Sequence, residues 1–334
     1  MTASHGSGNL AGTTGGGRCI PPTLRAIPER PMISSYMHPL LSSIMLKKDS
    51  PVDLIPLPPA REYAGGEVHT QFGDLLAECT PEDFLGRDPY PLPRSEDREG
   101  YQVDRHYDWW LGGLRDYLCV VSNLNRLGRR LTPGDRVFEL GCASGRVLRH
   151  FALQGGLDAW GADINARHIE WIRLFMPPEI KAFQNTILPN LPLEDNFFDL
   201  VTGFSVFTHI DDLELAWIAE VRRILKPGGI AYLTIHSDNT WNGLKDHDWF
   251  IKTQLLSVKD HITEFKVSEE LFRYPMDQER MVFWWPFGTS YNCSVFHTRS
   301  YIRSAWGRFF EILDIVRGAS EYQDAVILRK PARG

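Results

Sequence analysis

Residues 136–152 read Arg-Val-Phe-Glu-Leu-Gly-Cys-Ala-Ser-Gly-Arg-Val-Leu-Arg-His-Phe-Ala, and this stretch decides the fold. It opens with an apolar run, interrupted by one acidic residue, that is typical of a buried parallel strand. Gly141 and Gly145 then bracket a tight turn, and from Arg146 onward apolar residues recur at helical spacing. A strand, a glycine turn and a helix N-terminus together predict the opening of a nucleotide-binding βαβ unit.

The spacing of the turn indicates which nucleotide it suits. A dinucleotide fold uses Gly-x-Gly-x-x-Gly, whereas this turn reads Glu139-x-Gly141-x-x-x-Gly145. A carboxylate that points at the turn is a poor neighbour for pyrophosphate but suits a ligand that carries an ammonium and a sulfonium. Asp163 follows Gly141 by 22 residues, ends a second strand-like run and is placed to accept hydrogen bonds from ribose hydroxyls. The pattern therefore disfavours an NAD-dependent dehydrogenase.

From about Arg136 onward the chain resembles the class I S-adenosylmethionine-dependent methyltransferases. Four segments follow in that family's order, at residues 139–145, 191–201, 204–210 and 225–229. Within the family, residues 146–150, 205–209 and 323–326 resemble bacterial small-molecule and glycan-type methyltransferases. The resemblance implies methyl transfer from S-adenosylmethionine, which leaves S-adenosylhomocysteine, to a hydroxyl or amine of a small molecule or glycan.

The resemblance also implies an α/β fold, a Rossmann-like doubly wound sheet of seven mostly parallel strands with an antiparallel last strand. Apolar runs predict the seven strands at residues 136–140, 157–162, 180–184, 198–204, 230–236, 309–316 and 323–330. Asp211-x-x-Glu214 resembles a capping box that opens the helix before the fifth strand.

The cofactor residues that the resemblance implies lie in the turn, at the ends of the strands and in one N-terminal helix. They are Glu139, Gly141, Cys142, Gly145, Asp163, Ile164, Asn185, Thr186, Phe204 and Tyr107. Ala143 stands where the family usually has a glycine. Alanine fits there only if the position does not need a positive φ.

Methyl transfer is an in-line displacement on a donor that its own positive charge activates, so the protein mainly binds, aligns and excludes water. A hydroxyl acceptor would need a general base, whereas an amine that is neutral at pH 7 needs little. His236 at the end of the fifth strand is the preferred candidate. His209 is the second, although a packing or capping role also fits it. Asp238, His297 and the pair His247 and Asp248 remain open, and no metal site is predicted.

The chain divides into three parts by composition. Residues 1–30 are Gly/Ser/Thr-rich and predict a disordered tail, and residues 31–100 form a proline-rich arm. Residues 101–334 form the predicted methyltransferase domain, in which residues 237–297 are an aromatic-rich insertion. Insertions at this position lie over the carboxyl edge of the sheet, so an aromatic lid, a substrate wall and core packing all remain open.

The composition bounds the partners. A net charge of −6 gives no electrostatic grip on phosphates, so nucleic acid is not expected as a partner. Five scattered cysteines without a Cys-x-x-Cys pair favour a reducing compartment, and no apolar run is long enough to span a bilayer. We therefore expect a cytoplasmic enzyme. The alternative is a non-catalytic S-adenosylmethionine-binding or interaction protein. The oligomeric state is left open.

Overall fold

The computed structural model describes residues 81–258, 267–284 and 291–332. The predicted disordered tail, residues 1–30, lies outside these ranges, as do most of the proline-rich arm and part of the aromatic-rich insertion. All twelve predicted site residues lie inside them.

Helices and strands alternate along the first half of the described chain. In order they are α1 (Pro81–Leu85), a 3-10 turn (Ser95–Arg98), α2 (His106–Arg126), β1 (Arg136–Leu140), α3 (Leu148–Leu153), β2 (Asp158–Asp163), α4 (Ala166–Phe175), β3 (Lys181–Gln184), β4 (Phe198–Gly203), α5 (Glu214–Ile224) and β5 (Leu225–Ser237).

The second half holds the insertion and the closing strands. In order they are α6 (Asp238–Gly243), α7 (Phe250–Val258), a 3-10 turn (Glu269–Arg273), β6 (Arg280–Trp284), β7 (Cys293–His297), α8 (Arg299–Ala305), a 3-10 turn (Trp306–Arg308), β8 (Glu311–Ser320) and β9 (Gln323–Arg329).

The sheet runs β3-β2-β1-β4-β5 with all neighbours parallel. β9 then pairs antiparallel with β5, and β8 pairs antiparallel with β9. These seven strands confirm the predicted α/β, Rossmann-like doubly wound sheet with an antiparallel last strand. Because β1 to β5 are parallel, the carboxyl ends of β1, β2, β4 and β5 lie at one edge, where such sheets bind their ligands.

The tip of β5 carries a second partner that the sequence did not predict. Residues 230–235 of β5 pair with β9, but the last two residues, His236 and Ser237, pair with β7. β7 forms an antiparallel hairpin with β6. The insertion therefore adds two strands to the predicted seven, and it attaches them at the ligand-binding edge.

Apolar residues of β1 alternate between the two faces of the sheet. Val137 faces a cluster with α2, α3 and α4, whereas Phe138 and Leu140 face a cluster with α5 and α8. Both faces of the sheet are thus covered, which is why the strands read as nearly continuous apolar runs.

The insertion has a small core of its own. The buried aromatic residues of this core are Trp241, Phe272, Phe283 and Phe296. Trp241 contacts each of the other three rings, and Phe283 also contacts Phe296, with centroid distances of 5.2–5.9 Å. Core packing therefore accounts for these aromatic residues. Trp249 and Tyr291 differ because both remain partly exposed.

The described end of the proline-rich arm is anchored in the domain. Asp88 and Arg149 form an ion pair in which both side chains are fully buried, with 2.7 Å between Asp88 Oδ2 and Arg149 Nε. The indole N–H of Trp110 donates to the same oxygen at 2.7 Å. Residues 81–100 thus pack as part of the same body as the sheet.

The predicted capping box at Asp211-x-x-Glu214 is wrong. The N-cap of α5 is Leu213, and no side chain caps the helix there. Arg280 of β6 instead donates to Asp211 Oδ1 at 2.6 Å and to Glu214 Oε2 at 2.7 Å. A partly buried guanidinium on a distant strand outcompetes the local cap, because it adds the attraction of a full positive charge, which a backbone N–H lacks.

Within the described ranges no helix combines the length and the apolar composition that crossing a bilayer requires.

Candidate active site

The glycine turn after β1 has the backbone that its sequence requires. Gly141 and Gly145 take positive φ angles of 67° and 83°. A Cβ on Gly141 would lie 2.4 Å from Cγ2 of Val206, so the turn also packs closely against the loop after β4. Ala143 takes a φ of 46°, which contradicts the expectation that this position avoids positive φ. An L-residue in this region carries strain of about 1–2 kcal/mol.

Asp163 ends β2 beside this turn. Its Oδ2 accepts a hydrogen bond from the Ala143 N–H at 2.9 Å, and its Oδ1 accepts one from the Asn165 N–H at 2.8 Å. His168 Nδ1 lies 3.3 Å from the same Oδ1. The carboxylate therefore holds the strained Ala143 in place, in addition to the ribose contact that the sequence predicts for it.

The residues after β2 and β3 form the rim of this region. Ile164 is partly buried, and its carbonyl accepts a hydrogen bond from Gln184 Nε2 at 3.1 Å. Asn185 donates its N–H to the Asp163 carbonyl, and Asn185 Oδ1 is buried without a partner among the described residues. Thr186 is exposed. Asp163, Ile164, Asn185 and Thr186 thus lie together at the edge of the sheet, as predicted.

Glu139 and Cys142 lie behind the turn. Both are buried, and burial raises the pKa of each well above its ordinary value. Oε2 of the Glu139 carboxylate has no hydrogen-bond partner within the described part of the chain. The Cys142 side chain packs against Gly161 of β2. A direct ligand contact from either side chain stays a prediction.

A segment before α2 packs over this region, and sequence patterns did not reveal it. The Ser144 hydroxyl donates to the Asp97 carbonyl, and Arg167 Nε donates to Asp97 Oδ1 at 2.7 Å. Asn165 Nδ2 donates to Glu99 Oε1, also at 2.7 Å. The sequence signal that could have found the segment is an aromatic residue, Tyr101, near the polar residues Glu99 and Gln102.

Tyr107 and Phe204 were predicted as pocket contacts, and both are largely buried. Tyr107 stacks on Trp110 at 5.8 Å, and Phe204 packs against Tyr232 at 6.0 Å. Whether they also contact a ligand stays a prediction.

His236 lies at the carboxyl end of β5, as predicted, but it is only 2% exposed. Its ring lies between Phe296 at 4.9 Å and Tyr322 at 5.8 Å. Burial lowers the pKa of His236 well below its ordinary value, and the neighbouring His209 and His297 act in the same direction. The imidazole is therefore neutral at physiological pH. Its Nδ1 is buried and has no partner among the described residues.

His209 follows β4 and is partly exposed. Its Nδ1 lies 2.6 Å from the Cys293 carbonyl oxygen, which can only accept, so Nδ1 carries the proton and Nε2 carries a lone pair. Burial lowers the pKa of His209 to about 4. The ring stacks on Tyr291 at 3.8 Å and lies edge-on to His236 at 6.5 Å.

Polar side chains connect the loop after β4 to the neighbouring strands. Ser205 takes a positive φ of 56°, and its N–H donates to Thr234 Oγ1 at 2.7 Å. Gln323 Nε2 donates to the Ser205 hydroxyl at 2.7 Å, and the Thr234 hydroxyl donates to Gln323 Oε1. Strained residues of this kind cluster at functional sites.

The remaining candidate bases lie elsewhere or are engaged. His297 is fully buried, and its Nε2 lies 3.0 Å from Glu214 Oε2. Asp238 accepts two hydrogen bonds from Arg299. His247 and Asp248 are exposed. In the part of the chain that the structure describes, no group of three or more His, Cys, Asp and Glu side chains is placed to hold a metal ion.

Comparison with known proteins supports this arrangement of motifs. A family model described as "Methyltransferase domain" matches residues 112–311, more than half of the chain. The ubiquinone/menaquinone biosynthesis C-methyltransferase UbiE of Cupriavidus metallidurans is 31% identical over 120 residues, which cover 34% of this chain and 47% of that protein. A sterol 24-C-methyltransferase of Gibberella zeae is 30% identical over 105 residues, 30% of this chain and 27% of that protein.

The chain thus spans about half or less of the length of these two relatives. Among solved structures, the 1,6-didemethyltoxoflavin-N1-methyltransferase of Burkholderia thailandensis, with bound 1,6-didemethyltoxoflavin and S-adenosylhomocysteine, shares 14% identity at a TM-score of 0.45. That match covers 86% of this chain and 97% of the other, and it assigns no residue or substrate here. On the family match and the motifs together, the chain belongs to the methyltransferase domain family, as a class I S-adenosylmethionine-dependent member.

Proposed function

We propose that the protein is an enzyme that transfers a methyl group from S-adenosylmethionine to a small-molecule acceptor. The observation that carries the proposal is the hydrogen bond from the Ala143 N–H of the glycine turn to the Asp163 carboxylate. It lies at the edge of the sheet where β1 and β2 end. Membership of the methyltransferase domain family supports it.

The residues at this edge fit the proposed donor. A carboxylate can accept about four hydrogen bonds. Asp163 has three neighbours in hydrogen-bond range, on Ala143, Asn165 and His168, so one position is left for a ribose hydroxyl. Asn185 Oδ1 is a buried acceptor without a partner in the described ranges, which suits the amino group of an adenine. The nucleoside would therefore lie across the ends of β1, β2 and β3.

Bound S-adenosylmethionine supplies a methyl group that the sulfonium charge already activates. The protein then has to hold the acceptor in line and keep water out, and proximity can account for much of the rate. For a hydroxyl acceptor, His209 Nε2 would take the proton, because its Nδ1–H is fixed on the Cys293 carbonyl and the ring is partly exposed. His236 stays the second candidate, since its burial limits its access to an acceptor.

The acceptor atom is the open part of the proposal. The sequence predicts a hydroxyl or an amine. Both curated relatives carry the term C-methyltransferase in their names, which adds a carbon acceptor to the candidates. A glycan acceptor stays a prediction, and the net charge of −6 favours acceptors other than nucleic acid.

Isothermal titration calorimetry with S-adenosylmethionine, S-adenosylhomocysteine and NADH tests the donor. We expect both sulfur nucleosides to bind and NADH not to bind. Binding of NADH alone would contradict the proposal. Release of S-adenosylhomocysteine in the presence of an acceptor then separates an enzyme from the alternative, a non-catalytic S-adenosylmethionine-binding protein.

A further inference from the structure

Five aromatic rings stack in a column at the tip of β5. His247 stacks on Trp249 at 4.8 Å, and Trp249 stacks on Tyr322 at 5.4 Å. Tyr322 stacks on His236 at 5.8 Å, and the His236 ring lies 4.9 Å from that of Phe296. The planes of neighbouring rings differ by only 18–33°. We call these five residues the ring column.

A second pair of rings meets the ring column at a right angle. His209 and Tyr291 stack at 3.8 Å, and the His209 plane makes an angle of 87° with that of His236. The column and the pair thus form a corner. Its members come from the loop after β4, the tip of β5, the insertion and the turn between β8 and β9.

This corner lies next to the residues that cover the proposed donor site. Burial raises the pKa of Tyr322, and the neighbouring Glu321, Tyr101 and Tyr291 act in the same direction. Burial likewise raises the pKa of Tyr291, with the negative charge of Glu99 adding to the effect. Glu99 accepts a hydrogen bond from Asn165, two residues after Asp163. His209 follows β4 and His236 ends β5, so the corner lies at the same carboxyl edge of the sheet as the proposed donor residues.

Two rings of the column, those of Trp249 and Tyr322, belong to partly exposed residues. Trp249 stacks with His247 and Tyr322, and Tyr322 stacks with Trp249 and His236. The edge of an aromatic ring carries the positive end of its quadrupole and prefers the π face of another ring. A cation prefers a ring face, and stacking between neighbouring rings takes up ring faces within the column.

The same edges carry hydrogen-bond donors. The Tyr322 hydroxyl and the Trp249 indole N–H have no hydrogen-bond partner among the residues that the structure describes. Neither atom is among the buried polar atoms that lack a partner. A ligand that packs its flat face on these edges could therefore also accept hydrogen bonds from them.

We propose that this corner binds the methyl acceptor and that the acceptor is a planar aromatic ring bearing an oxygen or nitrogen. The inference rests on the proposed function and names its substrate class. The π face of the acceptor lies against the edges of Trp249 and Tyr322, and His209 Nε2 is available to its hydroxyl. Trp249 and Tyr322 thereby select the acceptor.

Calorimetry with two probes of one skeleton tests the inference. 2-Naphthol is planar, whereas decahydro-2-naphthol carries the same hydroxyl on a saturated frame. Both are titrated with and without saturating S-adenosylhomocysteine. We expect 2-naphthol to bind about tenfold more tightly or better, the order of an aromatic pair. Equal affinities would overturn the inference, and so would tighter binding of tetramethylammonium.

Variants locate the effect. Tyr322→Leu should abolish the preference for 2-naphthol, whereas Tyr322→Phe should keep most of it because the ring remains. Gly243→Ala provides a second route, since a Cβ there would lie 2.4 Å from Cη2 of Trp249 and would displace the ring without removing it. Tyr274→Leu is the matched control, because Tyr274 is 61% exposed and outside the corner. A preference that survives both Tyr322→Leu and Gly243→Ala would refute the assignment.

The two proposals fail in different ways. If S-adenosylhomocysteine does not bind the wild-type protein, the proposed function fails, while the titrations without it still report on the corner. If S-adenosylhomocysteine binds but the planar probe has no advantage, only the acceptor class fails. Binding of S-adenosylhomocysteine to each variant also shows that the variant is folded.

Discussion

The donor side and the acceptor side of this site are built in opposite ways. Apart from Tyr107 and Phe204, the residues predicted for the donor lie between Glu139 and Thr186, on adjacent strands β1, β2 and β3 and the turns that follow them. The acceptor corner draws on rings as far apart in the chain as His209 and Tyr322. A continuous motif can therefore describe the donor side, whereas the acceptor side exists only after the chain has folded.

The comparison is sharpest where a change affects one side and leaves the other intact. The first substitution below is at Asp88, in the N-terminal segment that packs on the domain from far along the chain. The second is at His209, on the acceptor side. The last two are at Asp163 and Ala143, in the glycine turn and its hydrogen-bond partner.

Asp88→Ala should have the largest effect. Asp88 belongs to the N-terminal segment, and its loss would leave the buried Arg149 guanidinium without a counter-charge, bonded only to the Tyr90 and Pro91 carbonyls, which costs about 3–5 kcal/mol of unfolding free energy. Urea denaturation measures the loss. Glu96→Ala is the control, since Glu96 is exposed and should change stability by less than about 0.5 kcal/mol. A loss at Asp88 no larger than at Glu96 would show that the segment is not anchored there.

The same pair predicts a pH dependence. Burial alone would raise the pKa of Asp88, but Arg149 outweighs it and holds the pKa below its ordinary value. A depressed pKa in the folded state means that the stabilisation is present at neutral pH and is lost as the pH falls through that value. The stability difference between the wild type and Asp88→Ala should therefore shrink in acid.

His209→Gln should lower turnover of a hydroxyl acceptor by roughly a hundredfold, as expected for loss of a general base. Affinity for S-adenosylhomocysteine should stay unchanged, because His209 lies on the acceptor side. Steady-state kinetics and calorimetry measure the two quantities. His236→Gln is the matched comparison. A large loss of turnover there, with little at His209, would transfer the proton-accepting role to His236.

The dependence of turnover on pH shows whether the pKa of the base is lowered by burial or lies near that of a histidine in water. A base works only when it is neutral, and the pKa of His209 is lowered to about 4. Turnover should therefore be flat between pH 6 and 8 and fall only near pH 4, rather than near the value of about 6.5 for free histidine. A limb near pH 6.5 that His209→Gln removes would contradict this environment.

Asp163→Ala should weaken binding of S-adenosylhomocysteine by about 1.5–3 kcal/mol, the range for a hydrogen bond to a charged group. Binding of 2-naphthol should change little, because Asp163 lies on the donor side. Asp158→Ala is the control, since Asp158 begins the same strand, at the opposite edge of the sheet, and is paired with Lys181. Equal effects of the two variants on donor affinity would remove Asp163 from the site.

Ala143→Gly should have the smallest effect and the opposite sign. Glycine relieves the strain of a φ of 46° but adds freedom to the unfolded chain, so a net gain of up to about 1 kcal/mol is expected. Ala152→Gly in α3 is the same substitution in a helix and should lose about 1 kcal/mol. Thermal unfolding of both variants measures the contrast. A loss at Ala143 would show that the turn is not strained.

The parts that the sequence predicted correctly are those with local causes. The places of the seven strands along the chain, the glycine turn and the position of Asp163 follow from apolar runs, glycine spacing and the rule that parallel strands end at one edge. The capping box failed because Arg280, far along the chain, competes for Asp211 and Glu214. The anchoring of Asp88 and the ring column depend on tertiary contacts of the same kind.

The exposure of the two histidines shows the same limit. His236 was preferred because a strand end is easy to read from sequence, whereas the accessibility of His209 and the carbonyl that fixes its tautomer arise from a contact with Cys293. A sequence pattern can place a histidine at the carboxyl edge of the sheet. Only the packing of the folded chain decides whether the lone pair of its imidazole nitrogen is accessible to a ligand.

The two partners of β5 bear on how proteins with this fold could diversify. β9 pairs with residues 230–235 of β5, so this part of β5 is hydrogen-bonded on that side without any strand of the insertion. β7 holds only the final two residues of the strand, and with them it carries a separate hairpin. If the corner binds the acceptor as proposed, changes in the hairpin alter the acceptor side while β9 keeps β5 paired along residues 230–235.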